Sequence, residues 1–325
     1  MYATAFAKGY TPEAVIFDLE TQFHSGCDSS GKPLFSNTKE EECYMPQNYD
    51  EVFRGPVSLR NALAQSINIP ALKVLYLVGI KDALETARNV GITSLTDPER
   101  YGLTLVLGGG EVSLLELTSA YSVFANEGVR NPHNPILSVL DKDGKKLIEF
   151  KQSGARAIDE NIALQVSDVL SDNKARAPAF GERSFLYFEN RDVAVKTGTT
   201  NDYRDAWIVG YTPNLAVGMW AGNNDNTPME KKVAGFIIAP VWNAFLAHVL
   251  EDLPREEFRA PEADASWNSL KPLLRGVWTG GESYFVDRVS QKLATAFTPQ
   301  ETREERFVSN IHSELYWINK NDPRG

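Results

Sequence analysis

Lys196-Thr197-Gly198-Thr199-Thr200 interrupts a block that otherwise reads as three β-strands. The apolar run Val193-Ala194-Val195 precedes it. Asn201-Asp202-Tyr203-Arg204-Asp205-Ala206-Trp207 follows at once and leads into Ile208-Val209-Gly210-Tyr211. Leu215–Trp220 then returns after Thr212-Pro213-Asn214, as the second arm of a hairpin. Residues two apart on a strand share a face, so Lys196 and Gly198 point the same way, and Gly198 leaves room beside the ammonium. On an exposed edge strand Thr199 offers both its hydroxyl and its backbone N–H. A substrate could add there as an extra strand, its carbonyl oxygen held by main-chain N–H groups. The competing reading of Lys196 is a lysine that blocks edge-to-edge pairing.

The rest of the chain supplies helices for this sheet. Ser58 caps a helix through Leu63, Pro70 suits the first turn of another over Ala71–Val78, and Lys81–Asn89 is a third, stopped by Gly91. Ser113-Leu114-Leu115-Glu116 is a capping box. The helix it opens carries Leu114, Leu117, Tyr121 and Phe124 at helical spacing and ends at Gly128. Ile136–Leu140 and Lys146–Phe150 form a hairpin through Asp143-Gly144, Asp159 caps a helix to about Leu170, and Pro240–Leu250 is an apolar helix. From Leu253 onward proline and charge increase and helical periodicity fades, so a boundary is placed between 252 and 253. The remainder holds two strand-like pieces, Ser283–Val286 and Lys292–Ala296.

With 325 residues and 42% apolar content the chain can build one large domain, or one large and one small. A formal charge of −10 argues against a nucleic-acid surface. No apolar run approaches the roughly 18–20 residues that span a bilayer, and residues 1–20 show no basic stretch followed by a long apolar one. The four histidines are scattered and no metal-ligand spacing occurs, so neither metal nor cofactor is expected. Cys27 and Cys43 are either free thiols in the polar loop 22–50 or a disulfide. On chain entropy a disulfide closing that loop contributes about 3 kcal/mol.

The second polar element is Ser66-Ile67-Asn68, set between two apolar helices just before Pro70. Polar groups trapped there need partners. A local account is that Ser66 caps the following helix and Asn68 holds the turn. Read together, Lys196-Thr197-Gly198-Thr199-Thr200 with its Asn-Asp-x-Arg-Asp-Ala-Trp continuation and Ser66-Ile67-Asn68-Ile69-Pro70-Ala71 resemble the transpeptidase domain of class A, bifunctional penicillin-binding proteins. Asn48-Tyr49-Asp50, Gly55-Pro56-Val57-Ser58 and Leu107-Gly108-Gly109-Gly110-Glu111-Val112 belong to the same resemblance, which covers essentially residues 1–250.

The resemblance implies an α+β fold of the penicillin-binding and β-lactamase type. An antiparallel sheet packs against helices, with a helical subdomain, over residues 1–252, and a small β-rich appendage spans 253–325. It implies serine acyl transfer on peptidoglycan stem peptides ending in D-Ala-D-Ala, with β-lactams bound as mimics. Ser66 would relay a proton to the leaving amine and Asn68 would hold a substrate amide. Lys196, Thr197 and Thr199 would surround the terminal carboxylate beside Gly198, and the Thr199 N–H would join the oxyanion hole. It also implies a glycosyltransferase domain and a membrane anchor upstream, working on the extracytoplasmic face of a bacterial membrane.

The nucleophilic Ser-x-x-Lys of that family is expected just ahead of Tyr2-Ala3-Thr4-Ala5-Phe6-Ala7-Lys8-Gly9, and so before Met1. Three other matches, Ser29 with Lys32, Ser36 with Lys39 and Ser171 with Lys174, compare with about one expected by chance. The first two lie in polar loop sequence without an apolar face. Ser171-Asp172-Asn173-Lys174 reads as a helix end. The leading expectation is a transpeptidase domain whose nucleophile motif is missing from this chain. The alternatives are a β-lactamase or D,D-carboxypeptidase using Ser171, and a non-catalytic D-Ala-D-Ala-binding module.

Overall fold

The computed structural model describes residues 1–307 and 322–324, apart from positions 152, 230, 279–282, 291 and 293. Helix α1 (Tyr2–Ala7) leads into strand β1 (Val15–Asp18), which pairs antiparallel with β2 (Gly55–Ser58). Ser58 then caps α2 (Leu59–Ala64), its hydroxyl accepting from Asn61 N at 3.1 Å. Helix α3 (Asn68–Val78) begins three residues earlier than the expected start at Ala71, and Pro70 sits inside its first turn as its sequence position suggested. Helix α4 (Ile80–Val90) stops at Gly91, whose φ of +109° suits glycine. A short α5 (Pro98–Tyr101) precedes α6 (Leu114–Ala125).

Only half of the expected capping box forms at α6. Ser113 accepts from Glu116 N at 3.1 Å, but the Glu116 carboxylate turns away and accepts from Thr93 N and Thr93 Oγ1. A tertiary partner with two donors has displaced the local one. Small antiparallel pairs follow: β3 (Val129–Arg130) with β6 (Ala155–Arg156), and the β4 (Ser138–Leu140) and β5 (Lys146–Glu149) hairpin. Asp159 caps α7 (Glu160–Ser171), and Asp172 caps α8 (Asn173–Phe180).

The central sheet runs β7 (Ala194–Thr199), β8 (Asp205–Thr212), β9 (Leu215–Gly222), all antiparallel, with β7 at one edge. Strand alternation divides it between two cores. Val195, Ala206, Ile208 and Val217 face α9 (Ala234–Ile237) and α10 (Ala239–Glu251), while Ala194 and Tyr211 face α1, α3 and α7. Two glycines set these approaches. A Cβ at Gly210 would lie 2.4 Å from the Trp242 ring of α10, and one at Gly218 would lie 2.0 Å from Thr118 Oγ1 of α6.

Beyond residue 252, Leu270 and Leu274 enter the α1–α3 core, with Phe258 and Trp267 packed against it. Strand β10 (Ser283–Asp287) pairs with β11 (Arg303–Phe307), a strand that sequence reading missed. The segment Lys292–Ala296 contributes single backbone bonds, Asp287 N to Lys292 O and Ala294 N to Phe285 O. Among the described residues no helix is long and apolar enough to cross a membrane.

Cys27 and Cys43 form a disulfide across the 22–50 loop, with Cα atoms 5.7 Å apart. Reduction is therefore expected to lower stability by about 3 kcal/mol, from the loop entropy returned to the unfolded chain. Paired urea denaturations with and without a phosphine reductant measure it. A double Cys→Ser variant that is insensitive to reductant serves as the control.

Candidate active site

Lys196 leaves the middle of β7 on the face opposite α10. Its Nζ donates to Ser66 Oγ at 2.6 Å and to Thr197 O at 2.6 Å. Both partners are uncharged oxygens. Burial without a carboxylate partner disfavours the ammonium and pushes the Lys196 amine down to about 8.

Ser66 owes its position to the way α2 ends. Ser66 N bonds to Leu63 O at 3.2 Å and Ile67 N bonds to Ala62 O at 3.0 Å, the paired bonds of a Schellman motif. The residue at its left-handed position is usually glycine. Here it is Ser66, with φ +61°. An L-residue held there costs about 1 kcal/mol, and what it adds over glycine is the hydroxyl that meets Lys196. Ser66 therefore closes α2 rather than capping α3. The residue before α3 is Ile67, whose side chain cannot cap. Asn68 opens α3 and its Nδ2 donates to Gln47 O at 2.9 Å.

The edge of β7 is arranged for an incoming strand. Thr200 N bonds inward to Asp205 O on β8, so the alternation of an antiparallel ladder turns the N–H groups of Thr197 and Thr199 outward. The Thr199 hydroxyl is already engaged, accepting from Ala234 N at 3.0 Å at the start of α9.

Ser66, Asn68, Lys196, Thr197, Gly198 and Thr199 all line one open cavity of about 870 Å³. Its other walls are apolar side chains of α3, α4 and α6, the segment Leu105–Gly108, and Met1 at the start of α1. Lys196 is the one Lys or Arg among the described lining residues. The two acidic ones are occupied elsewhere. Asp205 accepts from Thr200 Oγ1 and Trp220 Nε1, and Glu111 accepts from Arg100. The free polar capacity of the cavity is thus a cation beside the Ser66, Thr197 and Tyr121 hydroxyls, a carboxamide and outward amides, which suits a carboxylate with an adjacent peptide carbonyl.

Sequence reading missed the tilted Trp207–Trp220 pair that lines the same cavity, ring centroids 6.4 Å apart. Trp207 stands opposite Gly198 and Trp220 opposite Trp207 in the strand register. That register was the available signal. None of Ser29, Ser36 and Ser171 lines the cavity. Ser171 closes α7, and its hydroxyl donates to Asp168 O at 3.3 Å.

Comparison with known proteins agrees with this architecture. The penicillin-binding protein transpeptidase domain model matches residues 32–246, more than half of the chain. Penicillin-binding protein 1A of Aquifex aeolicus is 33% identical over 80% of this chain and 33% of its own length. Penicillin-binding protein 1A of Neisseria meningitidis is 29% identical over 82% of this chain and 32% of its own. The chain thus spans about a third of the length of these relatives. Among solved structures, penicillin-binding protein 1A from Haemophilus influenzae superposes with a TM-score of 0.68 at 21% identity, over 96% of this chain and 47% of that one. PonA1 from Mycobacterium tuberculosis superposes at 0.67 and 21% identity, over 81% and 69%. These likenesses show the penicillin-binding transpeptidase fold, an α+β arrangement of helices about an antiparallel sheet. By its family match, this chain belongs to the penicillin-binding protein transpeptidase domain family.

Proposed function

We propose that the cavity is the substrate-binding wall of a D,D-transpeptidase site, which takes peptidoglycan stem peptides ending in D-Ala-D-Ala and binds β-lactams as their mimics. The observation that carries this reading is the 2.6 Å contact of Lys196 Nζ with Ser66 Oγ at the edge of a strand with outward amides. The substrate's terminal carboxylate lies against Lys196 and Thr197, with Gly198 leaving room for it. The scissile carbonyl oxygen takes the Thr199 N–H, and Asn68 holds a substrate amide. An amine near pKa 8 exchanges protons readily at neutral pH, so Lys196 and Ser66 together can pass one to the departing D-Ala amine.

In this reading the attacking serine belongs to a Ser-x-x-Lys motif that precedes α1 in the full-length protein. Its hydroxyl adds to the carbonyl carbon, D-Ala leaves with the relayed proton, and a neighbouring stem's amine resolves the acyl-enzyme into a cross-link. A glycosyltransferase domain, a membrane anchor and an extracytoplasmic location accompany it, the working unit being residues 1–252 with 253–325 as an appendage anchored in its core through Leu270 and Leu274. The hydrolase reading built on Ser171 has no geometric support, because that hydroxyl does not reach the cavity.

The test is a titration of this chain with an N-acylated peptide ending in D-Ala-D-Ala, followed by NMR. Saturable binding that prefers the D,D over the L,L peptide and is displaced by penicillin is expected. With labelled penicillin, peptide mass mapping should find no adduct on Ser29, Ser36 or Ser171. Equal binding of the L,L peptide, or an adduct on any of those serines, overturns the reading.

A further inference from the structure

Helix α3 starts with an unmet need. The residue ahead of it, Ile67, has no side-chain acceptor, Pro70 has no N–H, and the Ile69 amide is fully buried. A buried amide left without a partner is strongly unfavourable. The partner comes from 21 residues away: Asn48 Oδ1 accepts from Ile69 N at 3.1 Å. Asn48 is only 3% exposed. Its preceding residue, Gln47, accepts from Asn68 Nδ2. The dipeptide Gln47-Asn48 therefore grips Asn68-Ile69 by two successive bonds.

What orients Asn48 is a fully buried carboxylate. Asn48 Nδ2 donates to both oxygens of Asp18, at 2.8 and 3.0 Å, and to Val52 O at 2.8 Å. Arg54 N donates to Asp18 Oδ2 at 3.0 Å, and the Arg54 guanidinium stands 3.7 Å away. Turning the Asn48 amide over would set its carbonyl oxygen against that carboxylate and its NH₂ against the Ile69 N–H. Asp18 thus decides which end of Asn48 meets α3. The same strand end holds the helix one turn later, where Lys73 Nζ donates to Phe17 O at 2.6 Å.

We propose that Asn48 is the positioning residue of the Ser66-Ile67-Asn68 wall, and that Asp18 sets its orientation. The placement of Asn68 in the cavity depends on this remote cap. The proposal rests on the transpeptidase reading for its functional consequence, while the clamp itself can be measured without a ligand.

The experiment compares wild type, Asn48→Ala, Asn48→Asp and the double exchange Asp18→Asn with Asn48→Asp, all at a temperature where each is folded. Two quantities are read: hydrogen exchange at the Ile69 amide, with Ile208 in the central sheet as internal reference, and affinity for the N-acylated D-Ala-D-Ala peptide. Asn48→Ala should speed Ile69 exchange about tenfold relative to Ile208 and weaken the peptide about tenfold. Asn48→Asp sets two carboxylates face to face and should do more damage. The double exchange restores a carboxamide–carboxylate pair with an acceptor facing Ile69 but leaves Val52 O without its donor, and should recover a large part of both quantities relative to Asn48→Asp. If Asn48→Asp does not fold, recovery of folding in the double exchange carries the same meaning. A lowered melting temperature with unchanged peptide affinity per folded molecule would overturn the positioning role. Unchanged Ile69 exchange in Asn48→Ala would overturn the clamp. If wild type itself binds no peptide, the transpeptidase reading fails, and the exchange data still decide the clamp.

Discussion

Replacing Lys196 by methionine is expected to weaken the D-Ala-D-Ala peptide roughly 100-fold while leaving the fold intact or firmer. Truncating one side of a desolvated, charge-assisted contact typically costs 2–5 kcal/mol, and each 1.4 kcal/mol is about tenfold in affinity. The effect on stability has the opposite sign. The folded-state pKa of Lys196 is about 8, below its ordinary 10.5. Between those values the unfolded chain keeps the proton and the folded chain releases it, so stability rises with pH across that window. Below pH 8 the full penalty of the buried ammonium is present, at most about 3 kcal/mol. Wild type should therefore gain melting temperature from pH 8 toward pH 10, and Lys196→Met should lose that gain. Peptide affinity of wild type should fall over the same range as the ammonium deprotonates. A pH-independent difference between the two proteins, or unchanged peptide binding in the variant, would refute the assignment of Lys196 to the carboxylate.

Trp242→Ala should lower unfolding free energy by about 3–5 kcal/mol, the range for removing a large aromatic from a packed core. Trp242 is fully buried. Its indole N–H donates to Val217 O at 3.0 Å, its ring meets Phe188 edge-on at 5.8 Å, and Gly210 lies directly over it. The substitution opens a cavity beneath β8 and β9 and removes the indole donor that the Val217 carbonyl has besides its ladder bond. Trp242→Phe should recover part of the packing and lose only the second donor to the Val217 carbonyl, which keeps its ladder bond from Gly210 N, at about 1 kcal/mol. Urea denaturation of the three proteins checks the order wild type, Phe, Ala. A loss below 1 kcal/mol in the alanine variant would mean that α10 does not hold the sheet.

Local periodicity made much of this molecule legible. The alternation of β7, the caps at Ser58 and Asp159, the Gly91 stop and the hairpin at Thr212–Asn214 all depend on residues within a few positions of each other. Where a distant group competes, that legibility ends. Glu116 abandons its own helix for Thr93. Ser66 meets Lys196 instead of capping α3, and Asn48 supplies the cap that Ile67 lacks. The strand Arg303–Phe307 was not legible at all, since its pairing with β10 joins residues well apart along the chain.

By itself the sequence determined that Lys196 and Gly198 share a strand face, that a Ser-x-Asn break separates two apolar helices, and that both belong to one family pattern. These follow from fixed backbone periods and from residue chemistry at short range. Only the tertiary structure decided that Ser66 and Lys196, 130 positions apart, stand 2.6 Å from each other, and that Trp207 and Trp220 share their cavity. It alone showed a buried carboxylate on β1 holding Asn48, and Asn48 holding α3. Such pairings arise because every buried polar group must find a partner once the apolar faces have closed. Which partner is within reach depends on how those faces pack.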